Sequence, residues 1–517
     1  MRRPNIVVIM ADQLAPQFTS VYGHPLARTP HMQALAARGM RFDAAYCNSP
    51  LCAPSRFAFM SGQHISRIAA YDNGSEFTAT IPTFAHYLKL LGYRTCLSGK
   101  MHFIGPDQKH GFEHRVTTDI YPADFAWTPD WEAPDERIDK WYHNMQTIKE
   151  SGVAQTTYQI DYDEETGFAA RRWLFDLARD RQGGDRKDHA PFALVVSFIH
   201  PHDPYVARPE WWNLYQDADI PMPQFRPALK DMDPFSRRLM DGIEASTIAL
   251  SEAEIRRARR GYLANVSYFD SKVGLIVQTL AEIGELDNSI VIITADHGDM
   301  LGERGLWYKM NFFEHSARVP LIMAGPTIAQ GAVSNACSLV DLLPTFIEIG
   351  GGDRAILGQP VDGHSLMPLA RGEPETRDEA IGEYCAEMTP APVFMIRRNA
   401  LKYIHCDVDP PQLYDVRADP LEKRNLAGDP LWAETLQRFE AEVTARWDSA
   451  KLRADVIATQ RARRALHAAM EAGAGAPWDY NPPSDASQQY VRNHMDWTVA
   501  AARYRFPQDP TGGGSDQ

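Results

Sequence analysis

The sequence predicts an α/β protein: a large mixed, mostly parallel sheet flanked by helices, then a small C-terminal antiparallel sheet and an extended tail. Three observations predict it. The apolar runs Ile6–Met10, Leu194–Ile199 and Ile290–Ile293 are continuous rather than alternating, as in strands buried on both faces. Helical patterns lie between them, the alternation that builds parallel sheets. Each run is followed by polar residues, namely Asp12, His202 and Asp296. In open α/β sheets that C-terminal edge is where ligand sites form.

Taken in order, Thr29-Pro30 supplies an N-cap and a first-turn proline for a helix through Met32, Leu35 and Ala36, closed by Gly39. Pro82 opens a second helix, with Phe84, Leu88 and Leu91 at helical spacing and Gly92 as its stop. A long helical pattern from about Glu254 to Ile283 precedes the third strand. Beyond Arg371, short apolar segments between Val393 and Ile404 and the Leu413-Tyr414-Asp415 run predict the small sheet. A charged helical stretch covers Leu431 to Met470. The expected units are 1–375 (catalytic), 376–450 (C-terminal α+β) and 451–517 (helix and oligomerisation tail).

Composition narrows the function. The formal charge of −14 over 517 residues argues against nonspecific binding to nucleic acid or anionic membranes. Six cysteines make no disulfide framework. No apolar stretch approaches the roughly 18 residues a membrane span needs, and nothing near Met1 resembles a signal peptide. The expectation is a cytoplasmic protein. Cys47, Cys96, Cys337, Cys385 and Cys406 lack metal-binding spacing and read as structural thiols, and the run Arg256–Arg260 reads as a solvated helix face or an oligomer contact.

The most informative stretch is Asn48–Arg56. Cys52 stands before an apolar helix, four residues ahead of Arg56. A helix N-terminus and a neighbouring guanidinium would both favour a thiolate or a bound anion. Cys52-x-Pro54-Ser55-Arg56 resembles the signature of type I sulfatases, the formylglycine-dependent enzymes of the alkaline phosphatase superfamily. A second signature is similar at Gly92-Tyr93-Arg94-Thr95 and Gly99-Lys100-Met101-His102. Asp12, Asp296-His297-Gly298, Lys309 and Leu413-Tyr414-Asp415 follow in the family's order. The resemblance covers roughly the first 430 residues.

The resemblance implies an alkaline-phosphatase-like fold and sulfate ester hydrolysis. Cys52 would be oxidised by a formylglycine-generating maturation enzyme. One hydroxyl of the hydrated aldehyde would attack sulfur, and the other would later expel sulfate. Arg56 would hold this diol. Asp12, Gln13, Asp296, His297 and the modified Cys52 are the implied ligands of one divalent cation. Many relatives carry Asp and Asn where this chain has Gln13 and His297, so Ca²⁺ is favoured by the family while Mn²⁺ and Mg²⁺ stay open. Lys100, His102, His202 and Lys309 would surround the sulfuryl oxygens, with Lys309 or His202 protonating the leaving oxygen.

Several further stretches resemble choline sulfatases: Tyr71-Asp72-Asn73, Asp119–Asp124, Gly305–Met310 and, in the tail, Asn493-His494-Met495-Asp496. The resemblance implies choline O-sulfate as substrate and a homo-oligomer, dimer or tetramer, whose tail approaches a neighbouring subunit. A quaternary ammonium has no N–H, so aromatic faces and a carboxylate must recognise it. Tyr121, Trp127, Trp131 and Trp307 are the candidate rings, and Glu383, Glu387 and Asp496 the candidate carboxylates. Asn73 is a candidate sulfate contact or a turn residue. The alternatives are a phosphonate monoester or phosphodiester hydrolase or a broad aryl sulfatase of the same superfamily and, more distantly, a non-catalytic choline-ester binding protein with Cys52 unmodified.

Overall fold

The computed structural model describes residues 2–133, 143–182, 189–475 and 477–507, so residues 508–517 of the expected tail lie outside the described residues. In chain order the strands are β1 (Asn5–Ala11), β2 (Met40–Tyr46), β3 (Arg94–Gly99), β4 (His114–Arg115), β5 (Gly152–Val153), β6 (Phe192–Ser197) and β7 (Val206–Ala207). They continue as β8 (Ser289–Ala295), β9 (Arg318–Ala324), β10 (Gly331–Ser338), β11 (Glu379–Tyr384), β12 (Val393–Arg398), β13 (Leu401–Cys406) and β14 (Asp409–Asp415). One eight-stranded sheet runs β10-β2-β9-β8-β1-β6-β3-β4, β11 to β14 form a four-stranded sheet, and β5 pairs with β7. In the large sheet β9 runs antiparallel to both neighbours, and the other pairings are parallel. The expected mixed, mostly parallel architecture is what the chain forms.

The apolar runs behave as read. Every residue of β1, β6 and β8 is buried, as central strands covered on both faces must be. The helix expected from Glu254 spans Glu252–Glu282. Ser251 sets its start, its hydroxyl accepting from the Glu254 N–H while the Glu254 carboxylate accepts from the Ser251 N–H. The charged stretch 431–470 is helical as read, while the end of the helix after Thr29 and the arginine run need correction. The stretch 431–470 is two helices, Ala433–Arg446 and Ser449–Glu471, because Asp448 caps the second by accepting the Lys451 N–H at 2.9 Å. The helix after Thr29 ends at Ala36, and Gly39 serves close packing instead, since a Cβ there would lie 2.2 Å from the Met323 carbonyl oxygen.

The arginine run is likewise not a solvated face. Arg259 is buried with Nη1 on the Leu301 carbonyl at 2.7 Å, and Arg256, Arg257 and Arg260 donate to the carbonyls of Ile220, Lys149 and Trp212. Among the described residues no helix is long and apolar enough to cross a membrane. All six cysteines are buried free thiols.

Register explains how distant residues meet. Ala11 pairs with Ala295, Met10 with Ser197, and Ser197 with Gly99. The residues leaving these strands, Asp12, Asp296, Lys100 and His202, therefore emerge along one edge. Gly99 is required there: its φ is +97° and a Cβ would lie 2.0 Å from the Ser197 carbonyl oxygen.

Candidate active site

Cys52 is the first residue of the helix Cys52–Ser61, whose side chains are all buried. Its Sγ lies 3.3 Å from His297 Nε2 and 3.9 Å from Asp12 Oδ1. The sequence alone suggested a site favouring a thiolate or a bound anion. For the thiol the environment works the other way, because burial, with the Asp12 carboxylate beside it, pushes it up to about 11.

Ligand atoms of Asp12, Cys52, Asp296 and His297 lie within 4.8 Å of one another, all of them buried. Arg56 braces the two carboxylates, with Nε on Asp296 Oδ2 at 2.8 Å and Nη2 on Asp12 Oδ2 at 3.0 Å. Its Nη1 reaches the Lys100 carbonyl at 2.6 Å and Ser197 Oγ at 2.9 Å. Lys100 Nζ also donates to Asp12 Oδ2. Burial alone would raise the Asp12 carboxyl, yet the Lys100 ammonium and the Arg56 guanidinium hold it well below its usual range. His297 Nδ1 is 3.0 Å from the Gly298 carbonyl, which it can only approach as a donor, so Nε2 faces the cluster as a lone-pair nitrogen. Two carboxylates and one imidazole nitrogen, already tied to an outer layer of partners, fit a divalent cation.

Gln13, at φ +64°, connects this cluster to the next. Its Nε2 donates to Asp299 Oδ2 at 2.6 Å and Asp203 Oδ1 at 3.1 Å, and its Oε1 accepts from Lys309 Nζ. An aspartate here would set a third carboxylate against two others, which accounts for the neutral amide. Lys309 Nζ is 3.1 Å from His202 Nε2, and His202 Nδ1 is 2.7 Å from the Asp203 carbonyl oxygen. His202 is thus neutral with its proton on Nδ1, in line with burial and Lys309 holding it well below the usual histidine range. Among the described residues two of the three Lys309 N–H groups are engaged, leaving one for a ligand. His200, the competing histidine, is instead held by Asp163 at 2.7 Å.

His102 is buried at φ +59°, and neither ring nitrogen has a hydrogen-bond partner among the described residues. Its backbone N–H donates to Asp119 Oδ2 at 2.9 Å. Around it stand Tyr121 and Trp127, with ring centroids 5.1 and 5.4 Å away and 4.9 Å from each other. Lys100 Nζ lies 4.3 Å over the Tyr121 ring. Two of the four candidate rings therefore line the site.

The other candidates separate. Trp131 is buried, with its indole N–H on the Ala386 carbonyl at 2.8 Å. Trp307 packs toward Tyr205 at 6.4 Å and against Gly302. Glu383 accepts from the Ser66 N–H and hydroxyl and from the Trp447 indole, which makes it an internal brace. Asp496 is an exposed helix cap, accepting from the Thr498 and Val499 N–H groups, and not part of its own chain's cluster. Glu387 is buried beside Tyr384 and senses both Asp72 and Lys309. Asn73 Oδ1 accepts the Ala53 N–H at 3.0 Å, capping the helix that starts at Cys52.

Residues missed from sequence include Ser197, Asp203, Asp299 and His143. Asp203 adjoins His202 and could have been suspected. His143, 5.6 Å from His202 and 3.5 Å from Asp203, sits in no recognisable motif.

A sulfatase family model matches residues 4–352, and a model of the choline sulfatase enzyme C-terminal region matches residues 454–506. The choline-sulfatase of Rhizobium meliloti (strain 1021) is 45% identical over 509 residues, covering 98% of this chain and 99% of that protein. The solved structure of BT4656 in complex with D-glucosamine-2-N,6-O-disulfate matches with a TM-score of 0.66 at 25% identity, over 88% of this chain and 99% of that one. The phosphonate monoester hydrolase of Agrobacterium radiobacter matches with a TM-score of 0.68 at 21% identity, over 88% and 96%. The last likeness is one of fold.

Proposed function

The chain belongs to the sulfatase family, and from that premise we propose that it is a choline sulfatase, a sulfuric ester hydrolase that cleaves choline O-sulfate into choline and sulfate. The observation that carries this reading is the pairing at one sheet edge of the Cys52–Asp12–Asp296–His297 cluster with the Tyr121–Trp127 rings over His102. The first half has the groups sulfate transfer needs, and the second offers π faces to a cation without N–H groups.

Asp12, Asp296 and His297 would hold the divalent cation, whereas Gln13, expected as a further ligand, turns its Oε1 to Lys309. Ca²⁺ is the family's choice, and the imidazole favours Mn²⁺ more than an all-oxygen shell would. Formylglycine made from Cys52 by a maturation enzyme would supply the nucleophilic hydroxyl, and the cation would neutralise charge on it. The remaining work falls to side chains already in place. Lys100 and His102 aim donors at the sulfuryl oxygens. Lys309, oriented by Gln13 and His202, gives its remaining N–H to the departing oxygen. An alkyl alkoxide leaves poorly, so this proton matters more here than for an aryl ester. Asn73 caps the nucleophile helix and borders the sulfate. Glu387 is the intrachain carboxylate for the ammonium.

We place the enzyme in the cytoplasm, supported by six unpaired thiols. We also infer a homo-oligomer. Asp496 and the exposed Trp497 and Val499 lie on a tail helix whose apolar groups are uncovered among the described residues, so Asp496 would serve a neighbouring subunit. The test is kcat/KM for choline sulfate, an aryl sulfate and an aryl phosphonate monoester on fully converted enzyme. Choline sulfate should lead. Preference for the phosphonate would overturn the choline reading in favour of a phosphonate hydrolase. No turnover of any ester would leave only a binding protein.

A further inference from the structure

The helix Ser449–Glu471 buries Leu452, Val456, Gln460 and Arg463, a stripe at helical spacing that begins apolar and ends with an amide and a guanidinium. Burying such groups is costly unless their donors are matched. The Arg463 donors are matched by two turns at the rim of the active site, whereas Gln460 contributes only its carbonyl oxygen and its Nε2 has no partner among the described residues. Arg463 forks onto Asp72, with Nη1 2.5 Å from Oδ1 and Nη2 2.7 Å from Oδ2, and Nη1 also reaches Thr128 Oγ1 at 3.1 Å. One turn earlier, Gln460 Oε1 accepts the Trp131 N–H at 2.9 Å.

Resting on the assignment of a cationic leaving group above, we propose that Arg463 is a positioning residue that holds the Trp127 turn against the Asn73 turn and thereby sets selectivity for the cationic alcohol. Asp72 and Thr128 are the two ends of this link. Asp72 Oδ1 accepts the Gly74 N–H at 3.0 Å and the Ser75 hydroxyl at 3.2 Å, so the Asn73 turn is closed by its own bonds. Asn73 in turn caps Ala53, next to Cys52. Thr128 directly follows Trp127, and its hydroxyl donates to the Phe125 carbonyl at 2.8 Å.

The two turns touch without an intervening side chain, since a Cβ on Gly74 would lie 2.5 Å from Thr128 Oγ1 and 2.7 Å from Thr128 N. Neither turn belongs to a strand. The ladder that fixes Asp12 and Asp296 therefore does not fix Trp127, and Arg463 supplies the missing register. Arg461 and Arg464 also pair with Glu132 and Asp130, but those contacts are exposed and add little.

Arg463→Lys keeps the charge but cannot form the planar fork. Thr128→Val keeps the shape and removes the second arm. Each variant is compared with wild type on choline sulfate and on nitrophenyl sulfate. Formylglycine content is read by peptide mass spectrometry, and melting temperature is recorded. For R463K, KM for choline sulfate should rise about tenfold while kcat/KM for nitrophenyl sulfate stays within about threefold; T128V should move the same way by about threefold. A purely structural role would instead lower the melting temperature and reduce kcat for both esters in parallel, leaving the ratio of their KM values unchanged. That result, or an equal rise in both KM values, overturns the proposal. Should R463K not fold, an unchanged KM ratio in T128V overturns it. A wild-type enzyme that does not favour choline sulfate removes the cationic-leaving-group reading itself, and this proposal falls with it.

Discussion

The two halves of the site are built by different means. In the reacting half, Asp12, Asp296 and Lys100 leave strand ends whose register is set by backbone ladders, and Arg56 reaches them from the helix Cys52–Ser61, so its charged groups are neutralised at close range in the interior. The proposed recognition residues, Tyr121 and Trp127 over His102 and Glu387 beyond β11, all lie on bends and turns outside any strand or helix. The first resembles a core made of ions, in which removing one member leaves another buried and uncompensated. The second is a set of faces whose losses are individually modest. Chemistry and specificity should therefore fail separately and by different amounts.

The largest expected effect breaks the reacting half alone. Cys52→Ala should lower kcat/KM for every ester by about 10⁴-fold or more, while circular dichroism and melting temperature stay near wild type, because Sγ makes just two long contacts. Residual turnover within about tenfold of wild type would sink the assignment of chemistry to position 52. Arg56→Met should act on both activity and stability. It leaves Asp12 and Asp296 without their shared guanidinium, a change worth about 3–5 kcal/mol in denaturant unfolding by analogy with other broken buried pairs. Chelation should abolish turnover, and readdition of Ca²⁺, Mn²⁺ or Mg²⁺ one at a time should restore it. The ion giving the highest kcat identifies what Asp12, Asp296 and His297 prefer.

The same division explains what could be read from the sequence. Asp12 and Asp296 were legible because each follows a continuous apolar run, and such a run has few alternatives to a buried strand. Cys52, Arg56, Lys100 and His102 were legible because they lie in short contiguous motifs. The strands β2 and β10 were not, since Arg41 and Asp43 interrupt one and the other is exposed over its first half. Nor was the sorting of Trp131, Trp307 and Glu383 away from the site. A tryptophan in a core and one in a cage have the same local sequence chemistry, and the partners that separate them are far along the chain. Trp131 binds Ala386, and Glu383 binds Ser66 and Trp447.

Trp127→Ala sharpens the comparison from the other side. KM for choline sulfate should rise about 5- to 30-fold, equivalent to roughly 1–2 kcal/mol of lost cation–π contact. A neutral aryl sulfate should be turned over within about threefold of wild type. Parallel losses on both esters would mean that the ring shapes the reacting half through His102, and the division into two halves would fail at that point.

The smallest effect concerns Glu387. Burial, with the Asp72 carboxylate nearby, pushes its carboxyl up to about 7 from an ordinary 4.5. A raised folded value means the fold favours the protonated form. Its contribution to stability is therefore complete below about pH 4.5 and lost as pH rises through about 7. Glu387→Gln removes that loss, so the melting temperature of the variant relative to wild type should climb between pH 5 and pH 8, with the two nearly equal at the acidic end. Binding should respond in the opposite sense. The carboxylate that attracts the ammonium exists only above its titration, so KM for choline sulfate should fall in wild type as pH passes about 7 and stay flat in the variant. A neutral sulfate ester supplies the control, because its KM has no reason to follow this carboxyl. If both esters show the same pH dependence in wild type, Glu387 acts through Lys309 on the reacting half rather than on the leaving group.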